Sequence, residues 1–222
     1  MSMRPRLFAF LTLLAAIPAA HAQYYGSYGA PEGRPVQFYV LGGFSQPVGT
    51  TNTILQGGYA VGFGVALRQP DSPLALRLEV TYTDNNATHA LIDQGSADTN
   101  LQITGGWAET WSFTANGEYR VHLGPGVYGY LIGGIGAYYT QISLTQYGYG
   151  YVCDPWWGFC YIASGNVIVA QHDDTDFGWN AGLGVAFRLR GTPQMFIEAR
   201  YTEIETTPQK FQYVPITFGV RF

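Results

Sequence analysis

Past residue 35 the chain keeps a period of two almost without interruption, and that regularity restricts the fold more than any other feature. The last segment shows it plainly. Val214, Ile216, Phe218, Val220 and Phe222 share one face, and Tyr213, Pro215, Thr217, Gly219 and Arg221 share the other. Residues two apart lie on the same side of an extended strand, so one face of each segment is apolar and the other is not. Segment 74–83 repeats the pattern, with Leu74, Leu76, Leu78, Val80 and Tyr82 opposed to Ala75, Arg77, Glu79, Thr81 and Thr83. The same reading gives eight strand cores, at 36–44, 57–68, 74–83, 107–120, 127–139, 177–189, 194–203 and 213–222. No stretch holds a helical period for long.

The two faces differ in a way that bears on orientation. The apolar face is aliphatic in its middle and aromatic toward its ends, with Tyr82, Trp111, Phe177, Trp179 and Tyr201 toward one rim and Tyr119, Phe187 and Phe222 toward the other. The second face is small (Gly62, Gly64, Ala66, Gly134, Gly136, Gly182, Gly184) and carries isolated charges. In a soluble sandwich the apolar face would be the core. In a transmembrane barrel it meets lipid between two aromatic girdles, and small and polar residues point inward so that a narrow cylinder can close. Connection lengths favour the barrel. Strands two to three, four to five and six to seven are joined by short turns, and the other connections are long, which is the periplasmic/extracellular asymmetry of such barrels. A mean hydropathy of +0.00 with 47% hydrophobic residues excludes repeated apolar runs of about 20 residues, and with them a polytopic helical protein. A net charge of -4 argues against a nucleic-acid partner.

Residues 1–22 have the form of a secretory signal: Arg4 and Arg6 ahead of an apolar run from Leu7 to Ile17, then Ala20-His21-Ala22 as a small-x-small cleavage pattern. An N-terminal anchor is the alternative. Cleavage would remove two arginines and take the net charge from -4 to -6. Residues 23–35, rich in Tyr, Gly and Pro, form a flexible periplasmic lead-in, and 36–222 the barrel domain.

At this point the chain resembles the small eight-stranded outer-membrane barrels typified by the OmpA transmembrane domain and OmpX. The resemblance spans about residues 36–222. It rests on the signal segment, the strand count, the turn asymmetry and the ending Phe218-Gly219-Val220-Arg221-Phe222. It implies an all-β, antiparallel up-and-down transmembrane barrel in the bacterial outer membrane, in contact with outer-membrane lipid and lipopolysaccharide. It also implies that Phe218, Val220 and Phe222 form the C-terminal signal read by the barrel-assembly machinery. No peptidoglycan-binding domain is expected after residue 222. The architecture itself assigns no activity, because it hosts adhesins, enzymes, channels and structural members.

The inward parity collects Arg68, Arg77, Glu79, Glu118, Arg120, Arg188, Glu198, Arg200 and Arg221. Arg77/Glu79, Glu118/Arg120 and Glu198/Arg200 are i, i+2 pairs of opposite sign, about 7 Å apart on one face. Unpaired buried charges cost several kcal/mol, so these groups must pair across strands. The result is either a gate in a narrow pore or a network that plugs the lumen, and the plug is favoured because eight strands barely enclose their own side chains.

Between strands five and six, Gln141–Tyr151 and Tyr161–Gln171 continue to alternate on either side of Cys153-Asp154-Pro155-Trp156-Trp157-Gly158-Phe159-Cys160. This reads as a β-ribbon standing above the membrane with a Cys153–Cys160 disulfide at its tip. A metal site is the weaker alternative, since no further Cys or His stands at ligand spacing. Trp156, Trp157 and Phe159 at the tip are candidate recognition residues, or else pack on the loop or dip into headgroups. The 84–106 connection reads as a second hairpin around Gly95-Ser96-Ala97-Asp98, and a pair of ribbons would offer a sheet edge to a partner strand. The acidic stretch His172-Asp173-Asp174-Thr175-Asp176 reads as a solvated loop rather than a divalent-cation site. No cofactor is expected. A lipid-modifying enzyme would need a base near the outer rim. Only His89, His122 and His172 follow the signal, and a dyad of His172 with Asp93 or Asp173 is its best form. The preferred reading is a non-enzymatic barrel presenting rigid loops, for envelope integrity or for surface recognition or adhesion. A narrow channel or hydrophobic-solute conduit is the second reading, and the enzyme the third.

Overall fold

The computed structural model describes residues 35–69, 72–99, 101–153, 158–188, 193–207 and 209–222. Eight strands follow one another: β1 (Val36–Pro47), β2 (Leu55–Arg68), β3 (Leu74–Ala87), β4 (Gly105–Gly124), β5 (Val127–Cys153), β6 (Cys160–Arg188), β7 (Gln194–Ile204) and β8 (Phe211–Arg221). Each pairs antiparallel with the next, and β8 returns to β1, so the sheet is a closed barrel. Closure leaves the sheet without an open edge, the condition for a sheet to cross lipid. The strands lie where the alternation places them, and several run further than expected at their outer ends.

Side chains sort by parity. Phe38, Phe63, Leu131, Leu183 and Phe218 are more than half exposed on the outer surface, whereas Arg77, Asn116 and Glu118 are fully buried in the lumen. The apolar face is therefore the outer face. Toward the outer rim Tyr59, Tyr82 and Trp111 stack in sequence at 6.1 and 5.0 Å between ring centroids, and Trp179 meets Tyr201 at 5.4 Å. These rings mark the outer interface of the lipid-facing belt.

Glycines on the inner face explain how so narrow a lumen holds large rings. Tyr39 lies directly across from Gly64, Tyr130 from Gly184 and Phe196 from Gly219. A Cβ at Gly64 would fall 2.3 Å from the Tyr39 hydroxyl, at Gly184 2.3 Å from Tyr130 Cζ, and at Gly219 2.1 Å from Phe196 Cζ. In each pair the ring folds over its partner's bare backbone, which fills the lumen without widening the cylinder.

A single turn, α1 (Thr51–Ile54), precedes β2. The connections differ from expectation after β3. Residues 84–106 do not form a hairpin: β3 runs on to Ala87, and His89–Thr99 is a helix, α2. The Thr88 hydroxyl caps it by accepting from the Leu91 N–H at 3.4 Å, and Ser96 and Thr99 donate back to the Ile92 and Gly95 carbonyls. Gly95 is buried with Leu144 against it, where a Cβ would fall 2.8 Å from Leu144 Cδ1. The turn-like Gly95-Ser96 is thus a close-approach point within a helix. Ile54 and Leu91 of the two helices pack on an apolar cluster at the outer mouth.

Candidate functional site: the charged lumen and the clamped ribbon

The inward charges converge from five strands. Arg77 is the hub: its Nη1 donates to Glu198 at 2.6 Å and to Glu118 at 3.3 Å, its Nη2 to Glu79 at 2.9 Å, and its Nε to the Tyr39 hydroxyl at 3.2 Å. Arg200 grips both oxygens of Glu79 at 2.7 and 2.8 Å and donates through Nε to Glu198. The two-point geometry matches the guanidinium fork to a carboxylate. Tyr39 and Tyr130 donate to Glu79 and Glu198, each at 2.8 Å. Glu118 collects Arg68, Arg120 and Arg221 in addition to Arg77. Arg77 and Arg221 also lie against the rings of Tyr39 and Phe196, at 4.5–5.7 Å from the centroids.

Arg77, Glu79, Glu118, Arg120, Glu198, Arg200 and Arg221 are therefore one connected network, with Arg68 joined to it. Arg188 occupies the last position of β6 on the same face. Period and parity bring out the charges but not the tyrosines. Tyr39 and Tyr130 hold two of the carboxylates; parity turns them inward, but only the register, which sets each across from a glycine, marks them out.

Next to the charges, Thr81, Thr83, Ser112, Thr114 and Asn180, together with Glu79 and Arg200 of the network, help line a cavity of about 30 Å³, room for one or two waters. Over it lie Leu55, Ala108, Tyr138, Ile204, Phe211 and Tyr213, all buried. A solute would have to break the ion pairs on one side and part this apolar layer on the other.

The outer side is dominated by β5 and β6. Their pairing runs from Val127↔Phe187 to Cys153↔Cys160, whereas β4 reaches only to Thr145 on β5 and β7 only to Gly178 on β6. From Gln146 to Cys153, at about 3.4 Å per residue, a two-stranded arm of roughly 27 Å stands beyond its neighbours. A disulfide joins Cys153 to Cys160, S–S 2.03 Å. Tyr147, Tyr149, Phe159 and Ile162 are exposed on the arm, with Tyr147 and Tyr149 edge to face at 6.2 Å. Trp156 and Trp157 lie outside the described residues. The acidic stretch 172–176 is part of β6 rather than a loop, so His172 and Asp173 project to opposite sides of a strand. His122 sits at the short-turn end of β4 against Tyr128, far along the strand from the outer rim.

At the outer end of β7, Glu203 accepts from Lys210 Nζ at 2.6 Å, from the Tyr201 hydroxyl at 2.7 Å and from Gln212 at 2.8 Å. The bonds to Glu203 and Glu205 push the Lys210 ammonium up. Phe218 faces outward from β8, Phe222 is exposed just past its end, and the Phe222 N–H donates to the Phe38 carbonyl at 2.8 Å to close the seam.

Comparison with known proteins agrees with this geometry. The structure is similar to Neisserial surface protein A (NspA), with a TM-score of 0.54 at 13% identity, over 85% of this chain and 96% of that one. It is also similar to a major outer membrane protein from Thermus thermophilus, with a TM-score of 0.50 at 14% identity, over 85% of this chain and 100% of the other. At such identities the likeness is one of fold. Comparison with curated protein sequences gives no match. The family model for the outer membrane protein beta-barrel domain matches residues 7–222, and with a closed eight-stranded sheet, an apolar exterior and a charged interior, the chain belongs to that family.

Proposed function

We propose that this protein is a non-conducting, non-enzymatic outer-membrane scaffold that presents the β5–β6 ribbon for recognition at the cell surface. One observation carries the reading: the two longest strands continue past all their neighbours into a disulfide-closed arm, above a lumen crossed by a buried ion-pair network and an apolar layer. A plugged lumen favours a structural or presenting role over a channel or conduit. An arm bearing exposed Tyr147, Tyr149 and Phe159 offers rigid amphipathic contact area, the type that dominates binding energy in interfaces. In this reading residues 1–22 are removed on export and residues 23–35 lie in the periplasm. Phe218, Val220 and Phe222 are presented to the assembly machinery before the β1–β8 seam closes.

The test compares the intact protein with a triple variant, Trp156→Ala, Trp157→Ala and Phe159→Ala, both checked for heat-modifiable migration. Binding to immobilised host matrix and to lipopolysaccharide is then measured. Loss of binding in the variant, with migration unchanged, is the expected result. Equal binding by both proteins would remove the recognition role of the tip.

A further inference from the structure

The two edges of the β5–β6 arm differ in length. β4 covers β5 up to Thr145, so that edge is open only from Gln146 to Cys153. β7 stops at Gly178 on β6, and the Glu205 N–H meets the Phe177 carbonyl just above. Residues 160–176 therefore pair with β5 on one side and, among the described residues, with no strand on the other. An open edge of this length is a template for another strand, and proteins guard such edges with lysine, proline or inward charge. Those guards are missing from residues 158–171, which hold no charged residue and no proline; the one irregularity in the ladder is at Val169. Ile162, Val167 and Ile168 are 62%, 50% and 48% exposed.

Sequence and topology both select what can lie along this edge. Ile162-Ala163-Ser164-Gly165-Asn166-Val167-Ile168 reads the same by class from either end: apolar, polar, glycine, polar, apolar. Antiparallel pairing of this segment with itself about Gly165 sets Ile162 opposite Ile168 twice, and Ser164 opposite Asn166 twice. Facing β-branched residues stabilise a sheet. The same register brings Cys160 to Ala170, so Asp173, Asp174 and Asp176 fall beyond the end of the second strand and do not face one another. The position next to this edge lies directly above β7. A copy in the same membrane cannot fill it, because its β6 continues down to Arg188 through the space that β7 occupies. An inverted copy can, because its β6 begins at the ribbon tip and runs away toward a second membrane.

We propose that the open edge of β6 is a self-recognition site: residues 162–168 pair antiparallel with the same residues of a second copy anchored in an opposing membrane. The partner is this chain itself, joined by main-chain strand addition, and the consequence is adhesion between outer membranes. Each contact is short and weak, and many copies on two facing surfaces supply the avidity. The proposal rests on the reading of the arm as a presented element. It does not rest on Trp156, Trp157 or Phe159 at the tip, so the two fail separately.

Refolded full-length protein in phosphatidylcholine vesicles tests it. Two vesicle populations carry different dyes, and clustering is read as their co-localisation at low ionic strength. Wild-type vesicles should cluster with one another and leave protein-free vesicles alone. Ser164→Lys with Asn166→Lys sets like charges opposite each other and should reduce clustering about tenfold. Ser164→Asp with Asn166→Asp should do the same, and mixing the two variant populations should restore it. Both positions are exposed, and heat-modifiable migration checks the fold. Ile162→Asn with Ile168→Asn removes the apolar pairs, should reduce clustering likewise, and stands in for a charge variant that fails to fold. The Trp156, Trp157 and Phe159 alanine variant should cluster as the wild type does. The site is overturned by wild-type vesicles that stay apart or dock on bare vesicles, and by clustering that the charges leave unchanged. Mixed populations that do not cluster, or clustering lost in the tip variant, overturn it equally.

Discussion

The lumen and the ribbon belong to one sheet and are held by opposite means. In the lumen, contacts are distant in sequence: Arg77 reaches Glu198 across 121 residues and Arg221 reaches Glu118 across 103. In the arm, each residue of β5 meets its partner on β6 along a local ladder, and a disulfide between cysteines 7 residues apart closes the end. The first arrangement is cooperative, because removing one member strands several others. The second is local, and damage to it stays above the membrane.

The largest expected effect breaks the lumen side. Glu118→Ala leaves four arginines without their shared carboxylate, and breaking a buried pair costs about 3–5 kcal/mol. Urea unfolding in lipid should show that loss, with proteolysis of the arm unchanged before the transition. Next comes the arm itself. Cys153→Ser opens a short loop and removes about 2–3 kcal/mol on the chain-entropy model, locally. Limited proteolysis should then cut near the tip while heat-modifiable migration stays as it was.

A smaller effect sharpens the packing argument. Gly64→Ala places a methyl 2.3 Å from the Tyr39 hydroxyl, and forcing that ring off Glu79 should cost about 1–3 kcal/mol in the same urea experiment. The smallest effect lies between the two regions, at Glu203. Lys210 donates to it at 2.6 Å from a half-exposed position. Lys210→Ala should therefore lower the midpoint of the same urea experiment less than Glu118→Ala or Gly64→Ala does.

Much of this was legible in the chain, for a physical reason. A barrel wall one residue thick separates lipid from lumen at every step, so parity alone assigns Leu76 to the outside and Arg77 to the inside. The i, i+2 charge pairs and the Cys153/Cys160 ribbon follow from the same periodicity. Three things did not follow. Tyr39 and Tyr130 look like any strand tyrosine until register puts Gly64 and Gly184 across from them, and register is a long-range property. The α2 helix depends on a Thr88 cap and on Leu144, which is remote in sequence, so Gly95 read locally as a turn. The crowding of arginines on Glu118 needs the closed ring, since β2, β3, β4 and β8 each contribute one.

A lumen that is plugged rather than gated underlies the scaffold role. Planar-bilayer recording of the refolded protein tests this directly. The ion-pair network below and the apolar layer above predict a baseline free of discrete steps, in the wild type and in a folded Glu198→Ala variant alike. Stable unitary currents in the wild type, with a size or selectivity altered by Glu198→Ala, would show that the network is a gate and contradict the scaffold.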